Sequence, residues 1–276
     1  MRLGEALVIG QQYAERSAVR HILASELKVS SSQLLGHPET SIDNTTWARI
    51  LAKLKRAQNG EPLPYLTGIA HFYQDEFLVS RDTLIPRPET ELLVEAALHF
   101  INRRKAAQRV IDIGTGSGCI AISLDLYAQP IVHTFATDIS FPALAIATAN
   151  ARRLNSSVSF CQADLLTPFS ERVEFDLIVA NLPYIAASET NLMDQHVLDY
   201  EPREALFSPE DGLFHIRTLL EQSGPLLAKD GMILLEFGFR QGRALLEIAS
   251  YLYPNHQIKI IRDWGGHDRI LQIELK

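Results

Sequence analysis

From residue 109 onward, short apolar runs alternate with helical stretches, and this rhythm constrains the fold more than any other feature. "RVIDIG", "IVHTFATD", "VSF", "FDLIVAN" and "MILLEFG" are the apolar runs. "CIAISLDLY", "PALAIATANARRL" and "LFHIRTLLEQSGPLLA" separate most of them. Apolar runs without polar alternation suit strands covered on both faces, and helical crossovers make their pairing parallel. The closing runs "HQIKIIRD" and "RILQIELK" are joined only by "WGGHD", which predicts an antiparallel pair. Upstream, "HFYQDEFLVS" alternates like a hairpin turning near Gln74-Asp75, and Pro86 and Pro88 stop it. Pro88 suits the first turn of a helix, with Glu89 and Glu91 at its positive end. Before residue 60 the apolar spacing is helical: Ile22, Leu23 and Leu27, then Ile50, Leu51 and Leu54. "SIDNTTW" supplies capping side chains and Asn59-Gly60 a stop. The chain therefore predicts a small helical domain over 1–62, a β-hairpin linker over 63–88 and an α/β domain over 89–276.

Composition narrows the function classes. The 276 residues carry 26 Lys and Arg against 33 Asp and Glu, a formal net charge of −7. That balance disfavours a large nucleic-acid footprint, which needs clustered positive charge. No apolar stretch approaches the ~18 residues of a membrane span. The N-terminal "MRLGEALVIGQQYAERS" has acids and Gln where a signal peptide needs an unbroken apolar run. A cytoplasmic protein without membrane contact is expected. The nine histidines form no HxH or HxxxH pair, so spacing suggests no metal site. Cys119 and Cys161 form no CxxC and are expected to be two buried, reduced thiols.

"VIDIGTGSGCIA" reads as a strand, then Gly114-Thr115-Gly116-Ser117-Gly118, then a helix. Glycines here let backbone approach a ligand, with the helix N-terminus aimed at it. The spacing is GxGxG after an acid, Asp112, and the third glycine comes one position too early for the dinucleotide GxGxxG. That counts against a nicotinamide dehydrogenase and suits S-adenosylmethionine, which has no pyrophosphate to cradle. The alternative is a plain strand-to-helix turn. Asp138 ends the second strand and can accept both ribose hydroxyls of a nucleoside, or else serve as a helix-start acid. Asp164, in "CQADLL", can accept from an adenine amino group while Leu165 packs on the ring; a surface turn is the alternative.

"ANLPY" follows "FDLIV". An amide or exocyclic amine is a poor nucleophile because its lone pair is delocalised. Two acceptors that hold its N–H groups turn that lone pair toward an incoming methyl group. The Asn181 side-chain carbonyl and the Leu182 backbone carbonyl can be those acceptors, and Tyr184 can pack on the planar group. Pro183 biases Leu182 toward an extended conformation. A second proline at 182 would fix φ there, so Leu182 predicts a looser clamp, and Leu182→Pro is expected to leave activity similar or better.

"EPLPYLTG", "LIPRPETELLVE", "DIGTGSGCIA", "ATDIS", "ANLPYI" and "YEPREALFSPEDGL" together resemble the HemK/PrmC family of release factor glutamine methyltransferases. The resemblance runs from about residue 17 to the end. It departs from the family pattern at Leu182, where Asn-Pro-Pro-Tyr is usual. It implies a class I methyltransferase: a Rossmann-like, mostly parallel sheet with an antiparallel C-terminal strand, plus a small N-terminal helical domain. It further implies methyl transfer from S-adenosylmethionine to the glutamine of a Gly-Gly-Gln loop in a class 1 peptide chain release factor, leaving S-adenosylhomocysteine. The helical domain and hairpin then help dock the release factor, and no nucleic acid is bound directly. A monomer is expected. By motif position Gly114 to Gly118, Asp138, Leu165 and Asn181 become cofactor contacts, joined by Asp164 from the residue reading. Asn181, Leu182, Pro183 and Tyr184 become the catalytic clamp. Arg87 and Glu89 lie near the substrate, with a simple helix-start motif as the alternative. A nucleic-acid amino-methyltransferase and a non-catalytic cofactor-binding protein are the rival readings.

Overall fold

The computed structural model describes residues 1–106, 108–169 and 173–275. By packing, the chain divides into two units: Met1–Ile69 with Asp194–Tyr200, and Ala70–Met193 with Glu201–Lys276. The smaller unit is built from α1 (Leu3–Gly10), α2 (Arg16–Leu27), α3 (Ser31–Gly36), α4 (Asn44–Gln58) and α5 (Leu63–Thr67). Its core gathers Leu3, Val19, Ile22, Leu23, Ile50 and Leu54, among others. Asp43 caps α4 as its sequence suggests, accepting from Thr46 N at 2.9 Å. The helical unit does not stop at residue 62. Pro62 precedes one more helical turn, α5, whose Leu66 is buried in the same core, and Gly68 ends it at φ +79°.

In the larger unit the chain forms β1 (Ile69–Phe72), β2 (Asp75–Leu78), α6 (Glu91–Asn102), β3 (Gln108–Ile113), α7 (Cys119–Tyr127), β4 (Val132–Asp138), α8 (Phe141–Leu154), β5 (Ser159–Gln162) and β6 (Phe175–Asn181). It then lends α9 (Gln195–Tyr200) to the helical unit, where Tyr200 Oη donates to the Asn59 carbonyl at 2.9 Å. It closes with α10 (Phe214–Ser223), β7 (Leu227–Glu236), α11 (Gly242–Leu252), β8 (His256–Arg262) and β9 (Asp268–Leu275). Among the described residues seven strands form one sheet in the order β5-β4-β3-β6-β7-β9-β8. The first five pair in parallel; β9 runs antiparallel to both β7 and β8. The mostly parallel sheet and its antiparallel end are as the alternating pattern predicts.

Alternate residues of each strand feed opposite cores. Val110, Leu177 and Val179 meet α6 and α7, whereas Ile111, Ile178 and Ala180 meet α10 and α11. Three local expectations change. The helix read through Ala228 ends at Ser223, and β7 begins at Leu227 instead of Met232. Gly224-Pro225 explains this, since proline has no N–H for the helix and clashes with the preceding turn. The hairpin turns at Tyr73-Gln74, with Tyr73 at φ +56°. Cys119 is buried, but Cys161 is exposed, because β5 is the edge strand of the sheet.

The hairpin packs as part of the larger unit and not as a free linker. Phe72 and Phe77 are 1% and 0% exposed and meet edge to face at 6.1 Å. Asn150, fully buried on α8, fastens β2 to the loop after β3. Its Oδ1 accepts from Leu78 N at 2.6 Å, while Nδ2 donates to the carbonyls of Leu78 and Ser117, each at 2.9 Å. Replacing it strands three backbone groups away from water. Asn150→Leu is expected to destabilise the protein by about 2–4 kcal/mol, read as a lower midpoint in urea unfolding.

Candidate functional site

The order of the sheet reverses between β3 and β6, and ligands of open α/β sheets bind beyond the strands' carboxyl ends at such a point. A cavity of about 750 Å³ opens there. Its lining brings together Gly114 to Ser117, Asp138, Asp164, Leu165, Asn181, Leu182 and Pro183, together with Arg87 from the "IPRPET" segment. Three residues singled out in the sequence stand outside the lining: Gly118, Glu89 and Tyr184.

The glycine loop adopts backbone angles that only glycine takes without strain. Gly114, Gly116 and Gly118 lie at φ +71°, +55° and +82°. A Cβ on Gly116 would meet nothing within 4 Å, so that face of the loop is open, whereas one on Gly118 would press on Ala147 of α8 at 3.1 Å. Gly118 thus serves close helix packing. Beneath the loop Asp112 is fully buried; its Oδ2 accepts from Thr115 Oγ1 at 2.6 Å and Ala121 N at 3.2 Å, and Oδ1 has no partner among the described residues. Burial pushes its carboxyl up to about 7.

Asp138 is tied to the same loop. Its Oδ2 accepts from Gly116 N and its Oδ1 from Ser140 N, both at 2.8 Å. Burial raises its pKa, with those backbone donors opposing the rise. Each carboxylate oxygen keeps a further lone pair for a ligand hydroxyl. Leu165 lies at φ +52°, and its carbonyl accepts from Thr137 Oγ1 at 3.2 Å. On the wall near Asp164 stands His215, whose pKa is lowered by burial and only partly restored by the Asp164 charge.

The "ANLPY" segment leaves β6 at Asn181. Asn181 Nδ2 donates to Thr90 Oγ1 at 3.0 Å, and Oδ1 has no hydrogen bond among the described residues. Leu182 is 5% exposed and belongs to the core cluster of Ile113, Leu165 and Ala180. A Cβ on Gly114 would lie only 2.8 Å from Leu182 Cδ2. Leu182 therefore fills the space beneath the glycine loop, a role that the sequence did not reveal and that a proline ring cannot reach to fill. Its burial gives a physical reason to expect that proline at 182 is not harmless. After this segment, Ile185 N donates to the Leu206 carbonyl at 3.1 Å and Ser208 N to the Ile185 carbonyl at 3.0 Å. Gln241 Nε2 donates to the Tyr184 carbonyl at 2.7 Å. The Tyr184 ring lies against Gly238, and burial pushes its hydroxyl up to about 12.

"YEPREAL" also acquires a physical meaning. Glu201, 4% exposed, pairs with the Arg87 guanidinium and accepts from Ile85 N at 3.2 Å. It thereby fixes the "LIPRPET" segment that carries both Arg87 and Thr90. Sequence reasoning missed Thr90, Gln241 and the work of Glu201, because each acts through a partner more than 50 positions away. Among the described residues no group of three His, Cys, Asp or Glu side chains is placed to hold a metal ion, and no helix is long and apolar enough to cross a membrane.

Leu182→Ala is expected to cost about 2–4 kcal/mol through the cavity that it leaves, seen as a lower thermal midpoint. Leu182→Pro is expected to loosen the glycine loop as well, measured as weaker binding of S-adenosylhomocysteine in calorimetry.

Comparison with known proteins finds similar chains over nearly the full length. Residues 8–68 match the model of the PrmC N-terminal domain, and residues 88–208 that of the methyltransferase small domain. The release factor glutamine methyltransferase of Enterococcus faecalis is 38% identical over 94% of this chain and 92% of its own. That of Staphylococcus aureus is 32% identical over 99% and 98%. A solved 16S rRNA N2 G1207 methyltransferase of T. thermophilus, in complex with AdoMet and guanosine, shares the fold at a TM-score of 0.53, with 13% identity over 75% of this chain and 50% of that one. With an almost full-length match to such relatives, the chain belongs to the release factor glutamine methyltransferase family of S-adenosylmethionine-dependent enzymes.

Proposed function

We propose that this protein methylates the side-chain amide nitrogen of the glutamine in the Gly-Gly-Gln loop of a class 1 peptide chain release factor, and so modulates translation termination. The observation that carries the reading is the Asn181 amide. Its N–H₂ end is engaged by Thr90, which leaves a carbonyl oxygen at the rim of a cavity whose floor is an open glycine loop.

The residues fit S-adenosylmethionine. A cavity of about 750 Å³ lies within the range that encloses a nucleoside-sized ligand. The bare face of Gly116 admits backbone approach, Asp138 keeps lone pairs for ribose hydroxyls, and Asp164 with Leu165 suits the adenine edge and face. The bound cofactor supplies an electrophilic methyl group on a sulfonium. Asn181 Oδ1 and the Leu182 carbonyl accept the two N–H groups of the glutamine amide and turn its lone pair toward that methyl. As positive charge grows on the nitrogen, both hydrogen bonds strengthen, so the clamp favours the transition state over the ground state. Tyr184, half-buried beside the clamp, gives it a flank; the charges of Glu236, Arg269, Arg87 and Glu89 all act on its hydroxyl. The helical unit, residues 1–69 with 194–200, and the hairpin are assigned to docking the release factor, on the basis of the match to the PrmC N-terminal domain.

Incubating protein, release factor and S-adenosylmethionine, then weighing the Gly-Gly-Gln peptide by mass spectrometry, is expected to show one added methyl group. Asn181→Ala is expected to lower kcat by about 100-fold or more, the scale of losing one preorganised transition-state partner. Asp138→Ala is expected to weaken S-adenosylhomocysteine binding by about 10-fold or more in calorimetry. An unmodified glutamine with bound cofactor would refute the reading, and methyl transfer to RNA or DNA alone would favour a nucleic-acid substrate instead.

A further inference from the structure

We propose that Glu236, acting through Thr90, sets which end of the Asn181 side-chain amide faces the substrate. This rests on the reading of Asn181 Oδ1 as an acceptor for the substrate amide.

Asn181 and Glu236 are partners at the carboxyl end of the β6–β7 ladder, and partners in a parallel ladder project to the same face of the sheet. Thr90, from the "IPRPET" segment, accepts from Asn181 Nδ2 and lies close enough to Glu236 to favour its ionisation. Thr90 and Glu236 are each 2% exposed, so water does not reach them to satisfy stray lone pairs. Glu236 Oε2 is buried with no hydrogen-bond partner among the described residues. Burial pushes its carboxyl up to about 7, against the Thr90 hydroxyl, the Arg269 charge and the Asn181 amide, which favour ionisation; Glu89 opposes it. Arg269 is itself held by Asp263 at 3.0 Å, and Tyr184 is the remaining titratable neighbour.

The polarity of this group follows from donor counting. An ionised carboxylate only accepts, and a hydroxyl has a single hydrogen. With Glu236 ionised, its unpartnered Oε2 draws the Thr90 hydrogen toward it, and the hydroxyl turns a lone pair toward Asn181. Asn181 must then present Nδ2, as the 3.0 Å contact shows, and Oδ1 is left for the substrate. With Glu236 protonated, its O–H donates to Thr90 instead. The Thr90 hydrogen is released toward Asn181, whose amide then turns its oxygen inward. A donor would face the substrate N–H where an acceptor is needed. Glu236 and Thr90 are thus positioning residues, and their state is read out at Asn181.

The test is the pH profile of methyl transfer to the release factor, for the wild type, Glu236→Gln, Thr90→Val and Thr90→Ser. For the wild type, kcat is expected to fall about tenfold per pH unit below the Glu236 midpoint near 7. Glu236→Gln can still accept from Thr90 but cannot titrate, so its profile is expected to be flat there. Thr90→Val is expected to lower kcat by about 10- to 100-fold with S-adenosylhomocysteine affinity unchanged, and Thr90→Ser to restore it to within about threefold. A purely structural role would not move the acid limb. Thermal stability provides an independent readout. A carboxyl raised from 4.5 to about 7 on folding contributes stability that is full below 4.5 and lost as pH rises through about 7. Glu236→Gln is therefore expected to melt higher than wild type near pH 8. An active wild type with no acid limb overturns the relay. So does a limb retained in Glu236→Gln, or full activity in Thr90→Val. A wild type that leaves the glutamine unmethylated defeats the reading of the site itself, a result distinct from a failed relay; Thr90→Ser and Thr90→Val keep the test open should Glu236→Gln not fold.

Discussion

The parallel register of β4, β3, β6 and β7 is the constraint on which the site depends. Ile113 stands level with Thr137 on one side and Ala180 on the other, while Asn181 stands level with Glu236. All these strands therefore end on one rim. The glycine loop, Asp138 and the "ANLPY" segment leave the sheet at the same height and meet over the point where strand order reverses. No loop has to travel to assemble the site. Gly114, Asp138 and Asn181 each lie at the end of a strand flanked on both sides by others, which suits chemistry that needs sub-ångström placement.

Rigidity beyond the sheet comes from a few buried polar side chains. Asn150 fastens the hairpin to Ser117; Glu201 fastens the "LIPRPET" segment; Gln241 fastens the Tyr184 carbonyl. Each joins segments that would otherwise be free loops; Asn150 and Glu201 are buried, so losing either leaves polar backbone groups dry, whereas Gln241 is half-buried. Asp112 and Glu236 are different. Burial pushes both carboxyls toward neutrality, and each retains an unpartnered oxygen. Such groups cost stability in their charged form, and both lie directly behind the rim where ligands bind.

Much of this was legible in the residues. The continuous apolar runs gave the parallel sheet, because strands buried on both faces cannot alternate. GxGxG after Asp112, Asp138 at the next strand's end and Asn181 after "FDLIVA" each carried a local signature. Less legible were features that depend on distant partners. Asn59-Gly60 looked like the end of the helical domain, yet Leu66 beyond it is buried in the helical core. Cys161 looked like a core thiol, yet its strand lies at the edge. Leu182 looked like a weakened proline, yet its side chain occupies space beneath Gly114.

The sequence by itself determined the fold class and marked the glycine loop and the "ANLPY" segment as candidate site elements, because periodicity, glycine spacing and donor–acceptor type are local properties that survive without coordinates. Only the tertiary structure decided how the clamp is held. Thr90 lies 91 positions from Asn181, and Glu236 reaches it only through the β6–β7 register. Hydrogen-bond direction in a buried group depends on every neighbour at once, and those neighbours are brought together by folding alone.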